Sequence, residues 1–116
     1  MWEIIDAART AWVDDMAAFL CFTGVRLTEM RRVLKPTESL YLHCDPTASH
    51  YLKILLDAIF GGQFRNELIW HYRTSSGRPT QHFIRNHDTI LFYGKSLQNT
   101  FNIQREAWPE STLRKW

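Results

Sequence analysis

The chain has 116 residues, room for one compact domain or for a piece of a larger one. Its 45% hydrophobic and 22% charged residues are ordinary globular composition and argue against disorder, while a net charge of +2 gives no bulk attraction to nucleic acid. No apolar run approaches the ~18 residues of a membrane helix and no export leader is present, so a reduced cytoplasmic protein without a membrane partner is expected.

In chain order, Trp2–Trp12 is helix-like. A helix is predicted over residues 16–34, where Met16, Leu20, Thr23, Leu27, Met30 and Leu34 return at spacings of three and four. Arg26, Glu29 and Arg32 share another face and can pair. Pro36 disfavours helical backbone at Lys35 and should end the helix near Leu34. Ser39–Cys44 (SLYLHC) suits a buried strand. Asp45 is then the expected N-cap, with Pro46 at the first helical position. Ala48, Tyr51, Leu52, Leu55, Leu56, Ile59 and Phe60 form the apolar stripe of this second long helix, which Gly61-Gly62 stops. His50 and Lys53 fall on its polar face and are read as solvated.

A second strand is predicted over Phe64–Arg73, with Leu68, Trp70 and Tyr72 alternating against Ile69 and His71. Residues 74–86 are turn-rich and basic, a surface loop long enough to suggest function. His87–Lys95 is a third strand. The two last strands lack a helical crossover, which makes them antiparallel neighbours at one edge of an open α/β sheet. Charge is also unevenly spread. Residues 61–87 carry Arg65, Arg73, Arg78 and Arg85 against the single acid Glu67, with aromatics interleaved, as a polyanion-binding stretch or a plain solvated loop would.

His43, Cys44 and Asp45 invite a metal or Cys–His reading. Adjacent strand residues point to opposite faces, so His43 and Cys44 cannot share a metal or act as nucleophile and base. Cys44, like Cys21, is read as a small core residue, His43 as lining the sheet's end and Asp45 as a cap. Ligands of open α/β sheets bind beyond the carboxyl ends of the strands, which keeps His43–Asp45 in view.

The run Arg31–Phe60 (RRVLKPTESLYLHCDPTASHYLKILLDAIF) resembles the DNA amino-methyltransferases that modify adenine N6 or cytosine N4, and is most similar to the type III-like enzymes. FRNELIW at Phe64–Trp70, RNHDTILFYGKS at Arg85–Ser96, the tail from Thr100 and the preceding helix agree in order with that family. Glu38 departs from it, standing where the family's turn usually has glycine.

The resemblance implies a Rossmann-like sheet of an S-adenosylmethionine-dependent methyltransferase. Residues 1–96 would be the later part of its catalytic domain and 97–116 the start of the target-recognition region. It implies double-stranded DNA as substrate, a restriction-modification setting, and either the remainder of the enzyme or a restriction subunit as partner. The family's Asp/Asn-Pro-Pro-aromatic motif and its glycine-rich cofactor loop are not among these residues, so the chain alone should not methylate. The resemblance places Phe83, His87, Trp70, His43 and Asp45 around the target base, with Arg73, Arg78 and Arg85 at the DNA backbone. Trp70 is also readable as a core aromatic, the preferred reading, and His87-Asp88 as a strand cap. A non-catalytic DNA-binding module and a complementing piece of a split methyltransferase are the alternatives. The resemblance also implies a further strand beside Ser39–Cys44, without which that edge is open and the chain should self-associate.

Overall fold

The computed structural model describes residues 1–11, 14–74 and 77–110. Trp12, the end of the first expected helix, and residues 111–116 of the expected recognition region lie outside the described residues. Helices α1 (Trp2–Ala11) and α2 (Asp14–Val33) are followed by strand β1 (Ser39–Cys44), helix α3 (Ser49–Phe60) and strands β2 (Phe64–His71) and β3 (His87–Gly94). The result is an α/β fold with a three-stranded sheet in the order β1-β3-β2. β3 runs antiparallel to both neighbours, so β1 and β2 are parallel to each other across it. The expected antiparallel pairing of the last two strands is present, with β2 outermost and β3 central.

The helices cover one face. Ala17, Leu20 and Leu27 of α2, Leu52, Leu55, Leu56 and Phe60 of α3, and Cys44, Leu91 and Tyr93 of the sheet are buried together. Directly opposed residues share a sheet face, so the pairs Leu42–Leu91, Cys44–Thr89 and Leu40–Tyr93 define the helix side. The stripe read on α3 is the buried one, and Gly61 ends the helix with φ of +63°, its N–H donating to Asp57 O at 2.9 Å. On the opposite face Tyr41 stacks on Phe92 with ring centroids 4.4 Å apart, and Phe101 follows at 6.1 Å from Phe92.

Tyr93 ties sheet to helix. It is fully buried, with its ring between Phe60 and Phe64, and its hydroxyl donates to Asp57 Oδ1 at 2.6 Å. Below it, Arg65 Nε donates to Asn99 Oδ1 at 2.8 Å and Nη2 to Leu97 O, holding the segment after β3 against the sheet. A Cβ at Gly94 would lie 2.7 Å from that guanidinium and 3.0 Å from Ser96 O, so a larger residue there would displace Arg65. Lys95 donates to the carbonyls of Leu34 and Arg32, satisfying groups left open at the end of α2.

Several expectations are corrected. Met30 is 47% exposed, because the inward side of α2 runs through Ala17, Leu20, Gly24 and Leu27 instead. The helix expected at Pro46 begins at Ser49; Asp45 still accepts from the Thr47 and Ala48 N–H groups at 3.1 Å, but it closes a turn before the helix. Lys53 is not simply solvated: it pairs with Asp57 at 2.7 Å and lies 4.2 Å from the Phe64 ring centroid. The alternation in β2 does not mark a half-buried strand, because this outer strand is exposed on both faces from Asn66 onward. Trp70, preferred as a core aromatic, is 61% exposed. Glu38, the departure from glycine, builds the turn itself: its carboxylate accepts from Lys35 N–H at 2.7 Å, and its own N–H donates to Lys35 O.

Burial, then the hydrogen bond and charge of Asp57, pushes the Tyr93 phenol well above its ordinary 10.0. The phenol therefore stays neutral in the fold while the unfolded chain ionises it near pH 10, so its contribution to stability is present below that pH and declines as pH rises. Tyr93→Phe should cost about 1 kcal/mol at pH 7 through the lost hydrogen bond. Denaturant titrations from pH 7 to 11 should show the wild-type chain losing this advantage at the alkaline end.

Candidate functional site

The topology gathers the singled-out residues at one end of the sheet. β1 and β2 point their carboxyl ends the same way, and β3 starts there. His43 and Asp45 close β1, Trp70 and His71 close β2, His87 opens β3, and the basic loop joins the last two. Tyr72 N–H donates to Asn86 O at 2.8 Å, extending the strand pairing by one step into the base of that loop.

The organising side chain is Asp88. Its Oδ2 accepts from His43 Nε2 at 2.9 Å and its Oδ1 from the Tyr72 hydroxyl at 3.2 Å. A carboxylate can only accept, so the His43 proton on this side sits on Nε2. One carboxylate thereby links the ends of all three strands. Sequence reasoning saw Asp88 only as part of a strand cap. Its link to His43 follows from the register, since His43 pairs with Ile90 and residue 88 lies two positions along on the same face. Loss of solvation, then the hydrogen bond and charge of Asp88, raises the Tyr72 phenol above its ordinary range.

Beside this network an open cleft of about 530 Å³ is walled by Phe19 and Thr23 of α2, Leu42–Asp45, Ala48 and Leu52, and Asp88. It puts His43, Asp45 and Asp88 around one concavity, and Phe19 and Thr23 are contributors that the strand-centred reading missed. Cys44 is buried on the helix side while His43 is exposed on the other, as the alternation required. Burial, then Asp45, Glu67 and Asp88, pushes the Cys44 thiol up to about 11, which leaves it protonated and inert near neutrality. Among the described residues no group of three His, Cys, Asp or Glu side chains is placed to hold a metal ion.

The loop makes a second concavity, about 470 Å³, lined by Gly77, Arg78, Pro79, His82, Ile84 and Arg85. Phe83 does not line it and projects into solvent, 96% exposed. Trp70 stands opposite Asp88 on the helix-free face, and His87 pairs with His71. Arg73 is exposed at the loop's entry. The structure thus brings His43, Asp45 and Asp88 together, and Arg78 with Arg85. It leaves Phe83 and Trp70 as free aromatic faces at the same end.

The fold is thus of the α/β class, with its polar cluster and basic loop beyond the carboxyl ends of β1 and β2. Within that class the chain belongs to the DNA methylase family of the N6/N4 type, which it matches over residues 6–116. It is 30% identical to Type II methyltransferase M.HpaI of Haemophilus parainfluenzae over 96 residues, 83% of this chain and 31% of that protein. It is 36% identical to Type II methyltransferase M.EcaI of Enterobacter cloacae over 87 residues, 74% of this chain and 19% of that protein. The chain therefore spans less than a third of the length of these relatives.

Two consequences can be measured. Iodoacetamide at pH 8 should label Cys21, which is half-buried, well before Cys44, and both equally in denaturant; mass spectrometry reads the difference. Asp88→Ala should leave global stability within about 1 kcal/mol, since both donors reach water. Its effect should instead appear as faster hydrogen exchange of the Tyr72 amide at the base of the loop, and unchanged exchange there would remove Asp88 as the organising group.

Proposed function

We propose that this chain forms the DNA-facing wall of a site-specific DNA methyltransferase of a restriction-modification system. The whole enzyme moves a methyl group from S-adenosylmethionine to the exocyclic amine of adenine (N6) or cytosine (N4). On this reading the three strands are the edge of a larger Rossmann-like sheet in the cytoplasm. Residues 1–96 belong to its catalytic domain and 97–116 open its recognition region. The observation that carries the reading is the convergence of Arg73, Arg78, Arg85, Phe83, Trp70 and the His43–Asp88 pair at one sheet end.

The chemistry sets what each group can do. An exocyclic amine is a weak nucleophile because its lone pair is delocalised into the ring, and the base has to leave the stack, at a cost of a few kcal/mol, before it can react. Exposed aromatic faces at Phe83 or Trp70 can recover about 1–3 kcal/mol by stacking on the extruded base. The arginines neutralise phosphates and set the register of the duplex. His43, Asp45 and His87 line the base-binding side. None of them supplies the paired acceptors that localise the amine's lone pair, so the methylating step rests on the Asp/Asn-Pro-Pro-aromatic motif of the remaining enzyme.

The residues present do not fit S-adenosylmethionine. Gly61 caps the end of α3, Gly24 is backed by Met1 and Leu55 and Gly94 by Arg65, and the five glycines do not form one glycine-rich loop after a strand. The methyl donor is therefore held by the rest of the enzyme or a complementing chain.

The chain alone should bind duplex DNA weakly at low salt. Arg78→Ala and Arg85→Ala should each weaken binding about equally for all sequences and lower the salt slope by about 1. Joined to segments carrying the missing motif and glycine-rich loop, it should support methyl transfer to DNA, and Phe83→Ala should then lower the rate. Failure to bind DNA even at low salt, together with no transfer after joining, would sink the proposal.

A further inference from the structure

Helix α2 carries apolar residues on two opposite sides. Its inward side, Ala17, Leu20, Gly24 and Leu27, packs in the core. Its outward side holds Phe22, Val25, Met30 and Val33, which are 58%, 48%, 47% and 67% exposed, with Arg26 and Glu29 among them. At 3.6 residues per turn these six positions fall on one face. A surface helix has no need of such a face, and three consecutive turns of it form a patch rather than scattered residues.

Reversed, the order of residues on this face keeps its apolar positions and exchanges cation for anion. About a two-fold axis beside the Leu27–Thr28 peptide, an antiparallel copy of α2 sets Phe22 level with Val33, Arg26 level with Glu29 near the middle of the face, and Val25 level with Met30 on its flanks. Apolar meets apolar, cation meets anion, and each pairing occurs twice, as an isologous interface demands. We propose that this face of α2 is a docking surface for a second copy of the chain. Within one copy Arg26 lies over the Phe22 ring, 3.2 Å from its centroid, and Glu29 pairs with Arg32 at 2.7 Å. Glu29 bonds Arg32 through one carboxylate oxygen, and among the described residues Arg26 donates to Phe22 O at 3.0 Å through one nitrogen, so both keep capacity to reach across. A single helix pair buries less than the ~1,600 Å² of a standard interface, so the dimer is concentration-dependent. The inference stands apart from the methyltransferase reading, because it uses none of the residues assigned to DNA.

Sedimentation velocity of the 116-residue chain between about 1 and 300 μM tests it. The expected result is a shift from 13.8 kDa to twice that mass. Arg26→Glu and Glu29→Arg should each weaken the dimer at least tenfold by opposing like charges, and Val25→Glu should abolish it. The double variant Arg26→Glu/Glu29→Arg should restore association, because the swap keeps every cross-pair complementary. Circular dichroism confirms that the variants fold; should Val25→Glu fail to, the charge swap at exposed positions still decides the matter. A monomer throughout, single variants that associate like wild type, or a double variant that is not rescued each overturns the proposal. Association that survives all of them belongs to another surface, such as the open edge of β1, and equally overturns it.

Discussion

β3 lies between two strands that both run the other way, and the geometry of the candidate site follows from that placement. Because β3 begins where β1 and β2 end, its first residues face the last residues of both neighbours. Asp88 can then reach His43 on one side and Tyr72 on the other. A slip of one residue in either pairing would turn every β3 side chain to the opposite face, carrying Asp88 toward the helices and Tyr93 into solvent. Tyr93 prevents this. Its ring fills the space between Phe60 and Phe64, and its hydroxyl donates to Asp57 Oδ1 from that depth.

The two ends of the sheet are built differently as a result. At the closing end of β3, Arg65, Lys95 and Ser96 tie the chain to Asn99, to the end of α2 and to Pro36, so that end is cross-braced by side-chain hydrogen bonds. At the opening end Asp88 links the strand tips, and Phe83 and Trp70 stand exposed beyond them. Binding loops are commonly carried in this way, at one end of a scaffold braced elsewhere.

Legibility followed the same division. The stripe on α3, the break at Gly61, the limits of β1 and the antiparallel pairing of β2 with β3 were all readable, because each rests on local periodicity or on one residue's backbone preference. Trp70 was misjudged because alternation says which residues share a face, not whether anything covers it. Asp88 was undervalued because its partner lies 45 positions away and only the strand register brings it near. Asp45 was recognised as a cap, yet the helix starts three residues beyond Pro46, since the intervening turn satisfies the same donors at closer range. The ordered blocks from Arg31 to Ser96 carried the family, whereas the cleft they wall together needed α2, and Phe19 and Thr23 belong to no motif.

Helix α2 shows why periodicity alone can mislead. Its inward and outward apolar residues lie on opposite sides, so they cancel in any single-face reading. Met30 then looked like a continuation of the core stripe, although it belongs with Val25 and Val33 on the other side. A helix of this kind is built to lie between two layers. The core is one of them, packed from Ala17 to Leu27, and Lys95 fixes the helix end against the sheet. With that side fixed, the direction of the outer face is determined as well. Whatever settles on Phe22–Val33 meets a preformed surface, and the only ordering left to it is that of a few side chains.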